Sequence, residues 1–292
     1  MNDRLRIAIQ KKGRLFQDSI SLLKRCGLAF RVEDNSLLVK VENMPIDLLM
    51  VRDDDIPTLV FDRVCDAGIV GENVLVEQFL SKPTKRYQKI MGLNLCQCRL
   101  SIAVPYEFEF QNAGSLENKT IATSYPRLLQ RYLDENRVNA NVLPIAGSVE
   151  IIPKLDMADA ICDLVSTGRT LADNHLIEVE QIFESEAVFI SADKEFTGNQ
   201  QAIFELLTNR IKGVNMARDS KYIMFHAPKS ALQAICQDLP GIETPTIVPL
   251  NQEDKVAVHV VSTEGAFWQT LETIKAKGAS SILVLPIEKM LG

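Results

Sequence analysis

Short apolar runs alternate with amphipathic segments through most of this chain, and that alternation restricts it to an α/β architecture with a mostly parallel sheet. "RIAIQ" (6–10) predicts a strand, and "LFQDSISLLKRCG" (15–27) predicts a helix closed by Gly27. "SLLVKVE" and "IDLLMVR" predict further strands. "DIPTLVFDRV" predicts a helix with Pro57 in its first turn, and "CDAGIVG" (65–71) a strand ending in a turn. A second unit opens near "CRLSIAVP" (98–105) and continues through the strand "KTIATS" and the helix "YPRLLQRYLDE" to "ADAICDLVSTGRTL" (158–171). The strand "AVFISA" (187–192) and a helix from about 199 to 213 are read as returning to the first unit. The expectation is a two-lobed body with a cleft: residues 1–95 with about 187–215 in one lobe, 96–186 in the other.

From residue 219 the order changes to strand, helix, two strands, helix, strand, which is the split ferredoxin-like arrangement. Residues 219–292 show no clustering of nucleophile, base and carboxylate, so they are expected to form a regulatory or oligomerisation module.

Charge and composition remove several function classes. The 292 residues carry 38 acidic against 32 basic side chains, a net charge of -6, whereas a nucleic-acid binder needs a basic face. Apolar runs such as "IDLLMV" and "SSILVLP" fall far short of the ~18 residues that span a bilayer, and the N-terminus lacks a signal-peptide pattern. The six cysteines, at 26, 65, 96, 98, 162 and 236, show no pairing pattern. Cys96 and Cys98 lack the partner ligands of a zinc site. A cytoplasmic protein with no membrane or nucleic-acid partner, and no metal residue of its own, is the expectation.

The chemistry concentrates where an apolar strand carrying two aspartates breaks into Ser166-Thr167-Gly168-Arg169-Thr170 and resumes as a helix. A strand-to-helix turn leaves backbone N–H groups free, and the helix dipole favours an anion there. Gly168 permits close approach, the hydroxyls of Ser166, Thr167 and Thr170 add donors, and Arg169 adds a charge-assisted contact. The segment reads as a phosphate cradle or, alternatively, as a polar turn with an N-cap. Neither a P-loop nor a dinucleotide fingerprint occurs. Asp159 and Asp163, four apart, share a face if extended. Carboxylates beside a phosphate suit a phosphoribose, whose hydroxyls donate to them. The other reading is that Asp159 caps and Asp163 pairs with a distant arginine.

These residues resemble the phosphoribosyl-pyrophosphate (PRPP) loop of the ATP phosphoribosyltransferase family. "IAIQKKGRL", "VRDDDIPTLV", "DAGIVGENVL", "IATSYPRLLQRYLDE", "GSVEIIPKLDMADAICDLVSTGRTL", "DSKYIMFHAP", "PTIVPL" and "GASSILVLPIEKM" resemble that family in order, over essentially the whole chain. The C-terminal part resembles the family's long form. The resemblance implies a catalytic body similar to two-lobed periplasmic binding proteins and a C-terminal ACT-like regulatory domain. It implies transfer of phosphoribose from PRPP to N1 of ATP, with release of pyrophosphate, as the first step of histidine biosynthesis.

Carried onto this chain, Ser166 to Thr170 would hold the 5-phosphate of PRPP, Asp159 or Asp163, with Asp163 the nearer candidate, would meet the ribose hydroxyls, and Glu150 would face the ribose or the adenine. Lys11, Gly13, Arg14, Arg52, Asp53, Asp54, Gly71, Ser124 and Tyr125 would serve ATP; the bland readings are a basic turn for the first three and helix capping for the aspartates. Mg²⁺ is implied as cofactor, held mostly by substrate oxygens. Histidine is implied as feedback inhibitor at Ile242, Thr244, Thr246 and Ser281, and homodimers and homohexamers as the assemblies. A solute-binding protein and a silent regulatory paralogue are the rival readings. The first predicts a secretion signal or an attached helix-turn-helix, and the second predicts loss of the 166–170 loop; the sequence shows neither.

Overall fold

The structure, a computed structural model, describes residues 4–33, 36–196, 198–239 and 244–290. It comprises two compact units, Met1–Phe204 and Glu205–Gly292. The first begins with β1 (Leu5–Gln10), α1 (Arg14–Arg25), β2 (Leu38–Lys40), β3 (Ile46–Val51), α2 (Asp55–Phe61), β4 (Ala67–Gly71), α3 (Glu72–Ser81) and β5 (Tyr87–Gly92). Next come β6 (Cys98–Pro105), β7 (Thr120–Thr123), α4 (Pro126–Asn136), β8 (Asn141–Pro144), β9 (Ala160–Val165), α5 (Arg169–Asp173) and β10 (Leu176–Ser185). β11 (Ala187–Ala192) and α6 (Asn199–Arg218) follow.

These strands form two sheets. One has the order β2-β3-β1-β4-β11-β5, the other β10-β6-β9-β7-β8. The chain crosses from the first sheet to the second after β5 and returns after β10, so each sheet with its helices is a lobe. β1, covered on both faces, is apolar nearly throughout, as an interior parallel strand must be. Among the described residues, parallel pairing is confined to β1 with β3 and β4, and β7 with β8 and β9. The mostly parallel sheet expected from the alternation is therefore corrected to two mixed sheets, because the returning strand β11 runs antiparallel to both β4 and β5.

Three elements escape a pattern reading. α3 buries Val74 and Leu75 in one lobe's core while Val76 and Leu80 pack against the other's, so it shows no single apolar stripe. β10, an edge strand, carries Glu178, Glu180 and Glu184, charges that blunt an edge against pairing. β5 is likewise a half-exposed edge.

The second unit contains β12 (Ser220–Pro228), α7 (Leu232–Asp238), β13 (Thr246–Pro249), β14 (Lys255–Thr263), α8 (Glu264–Ala276) and β15 (Ser280–Pro286). Its sheet runs β13-β14-β12-β15 with every neighbour antiparallel, the strand order of the split arrangement. Ile223, Phe225, Val258 and Val260 pack against Ile235 and Ile274 from the helices. Among the described residues no helix is long and apolar enough to cross a membrane.

Candidate active site

β9 lies inside the second sheet, antiparallel to β6 and parallel to β7. Its alternation sends Ala160 and Cys162 into one core layer and Ile161 and Val165 into the opposite one. Asp163 shares the second face, against which Val149 packs from the 3₁₀ turn Val149–Ile151. That turn brings Glu150 to Asp163. Burial first, and then the Glu150 charge, push the Asp163 carboxyl above its ordinary range, against a hydrogen bond from the Leu164 N–H.

Asp159 is not part of this pair. Its Oδ2 accepts the Thr120 N–H at 2.8 Å, and its Oδ1 lies 3.5 Å from Lys119 Nζ. Four residues of extended strand put it about 13 Å from Asp163. Of the two aspartates expected as alternatives for the ribose, Asp159 takes the capping role: it closes the far end of the β7–β9 ladder. Asp159→Ala is expected to cost about 1 kcal/mol of stability and leave the kinetics unchanged. Urea unfolding beside steady-state rates checks this, and altered kinetics would return Asp159 to the site.

At its other end β9 opens into the expected phosphate loop. Gly168 adopts φ 77° and ψ -1° as N-cap of α5, with nothing within 4 Å of where a Cβ would stand. Ser166, Thr167, Arg169 and Thr170 are exposed, and among the described residues the Arg169 side chain pairs with Asp173 of the next turn, at 3.9 Å. The loop is thus open to an incoming anion. Its first residue is braced from below: Arg99 Nη1 donates to the Ser166 carbonyl at 3.4 Å. The same guanidinium grips Glu178 through Nε and Nη2, each at 2.5 Å, and Ser101 Oγ donates to Glu178 at 2.7 Å. The Arg99 hydrogen bonds hold the Glu178 carboxyl below its ordinary range. Sequence reasoning missed this brace, because Arg99 and Glu178 meet only through β6–β10 pairing.

Between the lobes lies a cleft of about 560 Å³. Asp53 and Asp54 line it from the first lobe; Ser124, Tyr125 and Gly147 line it from the second. Tyr125 ends the turn after β7, its N–H donating to Thr123 Oγ1 at 2.9 Å. Burial, then the Asp163 charge, raise the Tyr125 hydroxyl's pKa, with smaller contributions from Asp53 and Asp54. Asp54 is held above its ordinary range by burial, by Asp53 and by Asp55, with Arg52 opposing. Its side chain makes no capping hydrogen bond, so capping does not account for it. Arg52 itself is exposed. Ser124 Oγ donates to the Ile145 carbonyl at 2.8 Å and shapes the cleft wall.

Other expected residues lie elsewhere. Lys11 lines a separate cavity of about 520 Å³ with Lys12, Lys24 and Met50. Gly13, at φ 95°, caps α1, and the exposed Arg14 stands 4.0 Å from Asp18. At Gly71 a Cβ would meet Asn73 Oδ1 at 2.6 Å, so the glycine makes room for that side chain. In the second unit Thr246 sits on β13 and Ser281 on β15, opposite edges of the sheet and about 14 Å apart by three strand spacings. One histidine contacting both within a single copy is therefore excluded. Thr244 is exposed beside β13, and Ile242 lies outside the described residues. Among the described residues no three His, Cys, Asp or Glu side chains converge as metal ligands.

Two family models match the chain. The family model HisG, ATP phosphoribosyltransferase, matches residues 52–213, and the model HisG, C-terminal domain, matches 217–289. Among solved structures, the ATP phosphoribosyl transferase (HisG:HisZ) complex from Thermotoga maritima matches with 28% identity and TM-score 0.60, covering 71% of this chain and 98% of that one. The alkanesulfonate-binding protein SsuA from Xanthomonas axonopodis pv. citri matches with 14% identity and TM-score 0.46, covering 73% and 74%. With a catalytic-family model over more than half its length and the family's C-terminal domain behind it, the chain belongs to the ATP phosphoribosyltransferase family, in its long form.

Proposed function

We propose that this enzyme of histidine biosynthesis transfers the phosphoribosyl group of PRPP to N1 of ATP, releasing pyrophosphate. The observation that carries the reading is the placement of Asp163, a carboxylate held against burial and the Glu150 charge, on the strand that ends in the open Gly168 loop. The 5-phosphate rests on the free N–H groups and hydroxyls of 166–170, with Arg169 unengaged enough to close on it. The ribose then extends back along β9 toward Asp163 and Glu150, and the adenine lies in the cleft beside Tyr125.

Adenine N1 brings its own lone pair, so no general base is required to make the nucleophile. The C1–pyrophosphate bond breaks as the N1–C1 bond forms, and positive charge develops on the ribose carbon. Asp163 faces that charge from a fixed, half-buried position, where a carboxylate acts more strongly than in water. The two lobes supply the remainder by aligning two polyanions that otherwise repel. Mg²⁺, when bound, would supply the charge neutralisation that makes pyrophosphate a good leaving group. The adjacent carboxylates of Asp53 and Asp54 are hard-oxygen donors, suited to an ion that keeps most of its ligands from substrate and water.

Feedback by histidine is assigned to the second unit, which we read as ACT-like. Since Thr246 and Ser281 occupy opposite sheet edges, one histidine touches both only where two copies meet. Both edge strands expose apolar side chains, Ile247 and Val248 on β13 and Leu283 and Leu285 on β15, which supports assembly into homodimers and homohexamers through this unit.

Incubation of purified protein with ATP, PRPP and Mg²⁺, followed by mass spectrometry, tests the reading. A phosphoribosyl-ATP product, reduced by histidine, is expected. Product insensitive to histidine removes the feedback claim, and no product from folded protein removes the reaction.

A further inference from the structure

α3 is an interior helix at the lobe boundary, yet it buries two polar residues one turn apart, Asn73 at 5% and Glu77 at 6% exposure. Both reach the turn that opens α4 in the opposite lobe. Glu77 Oε1 accepts the Arg127 N–H at 3.0 Å and the Arg127 guanidinium at 3.3 Å, and Oε2 accepts the Leu128 N–H at 2.9 Å. Asn73 Nδ2 donates to the Tyr125 hydroxyl at 2.9 Å. The other side of that amide is fixed too, because Ser185 Oγ donates to Asn73 Oδ1 at 2.8 Å where the chain crosses between sheets.

α4 has no cap of its own. Tyr125 at the N-cap makes no side-chain cap, and Pro126 brings no N–H, so the free donors at Arg127 and Leu128 are satisfied from α3. A serine or aspartate at position 125 would cap α4 locally. A buried carboxylate from the other lobe is a costlier solution, since a charge leaves water only when fully paired. What it adds is a tie between lobes: the start of α4, and with it Tyr125, is placed relative to α3 and the first sheet. Tyr125 lines the cleft with Asp53 and Asp54 and lies in the field of Asp163.

We propose that Glu77 is a positioning residue: by capping α4 across the lobe boundary it holds Tyr125 in place between the first-lobe aspartates and Asp163, and so sets where the adenine lies relative to the ribose. The inference rests on the phosphoribosyl-transfer reading above. It concerns the nucleotide side of the cleft, since the 166–170 loop has its own brace in Arg99.

The test is Glu77→Gln in the full-length protein, assayed well below its melting temperature. In Gln the amide nitrogen must face an N–H donor, so one cap contact becomes donor against donor while size is kept. The expected result is a fall of about 10- to 100-fold in kcat/KM for ATP, with the KM for PRPP within about twofold of wild type. Hydrogen exchange at the Arg127 and Leu128 amides should accelerate in the same variant. A lower melting temperature with kcat and both KM values unchanged would make Glu77 merely structural and overturn the proposal. An equal loss for ATP and PRPP would overturn it as well. If wild type forms no phosphoribosyl-ATP, the reaction assignment fails, while the exchange experiment still reports on the cap. The two failures are therefore distinguishable.

Discussion

Asp163→Asn should lower kcat by about 10²- to 10³-fold, the effect of removing one fixed electrostatic partner of a developing charge. The same substitution should raise the melting temperature at neutral pH. The sign follows from linkage. Burial and Glu150 raise the folded-state pKa of Asp163 above its unfolded value. Such a group favours the folded state at low pH, and that contribution is lost as pH rises through the folded pKa. Above that point the ionised carboxylate is a stability cost, which neutral Asn removes. Activity runs the opposite way, since the reaction needs the ionised form. The wild-type rate should therefore fall on acidification at a pH above the ordinary aspartate value of 3.8. Steady-state rates and thermal melts of both proteins across pH check this. A variant that is less stable and still active would mean that Asp163 is a packing residue.

Gly168→Val should act on PRPP. At φ 77° a β-branched side chain is strained, by about 1–2 kcal/mol or more, although open space surrounds the position. If the loop relaxes, the N–H groups that begin α5 turn away from the phosphate. Each charge-assisted hydrogen bond lost is worth about 1.5–3 kcal/mol, so the KM for PRPP should rise about 10- to 100-fold. The melting temperature should fall by only a few degrees, because a unit of this size loses about 2–4 °C per kcal/mol. Calorimetric titration of PRPP and a thermal melt separate the two effects. Unchanged PRPP binding would move the phosphate away from this loop.

The main elements were legible because their patterns are local. β1, β6 and β11 stand where apolar runs placed them, and the break after Val165 becomes an open loop at a positive-φ glycine. What the sequence concealed depends on partners far along the chain. α3 faces two cores at once and so shows no clean periodicity. Arg99 and Glu178 are 79 residues apart, and Glu77 lies 50 residues before Arg127, whose N–H it accepts at the start of α4. Asp159 and Asp163 illustrate the converse: strand spacing gave them one face, but a strand also has length, and one carboxylate sits at each end's business. Gly71 makes way for Asn73, a side chain two positions on.

The central claim is that phosphoribosyl transfer occurs along β9, with phosphate at the Gly168 loop and ribose at Asp163. The most direct measurement is a crystal structure of the protein with PRPP and Mg²⁺. The account predicts the 5-phosphate within hydrogen-bond distance of the 166–170 backbone N–H groups and the ribose hydroxyls on the Asp163 carboxylate. A 5-phosphate bound instead at Lys11 to Arg14, with Asp163 facing no sugar, would contradict it.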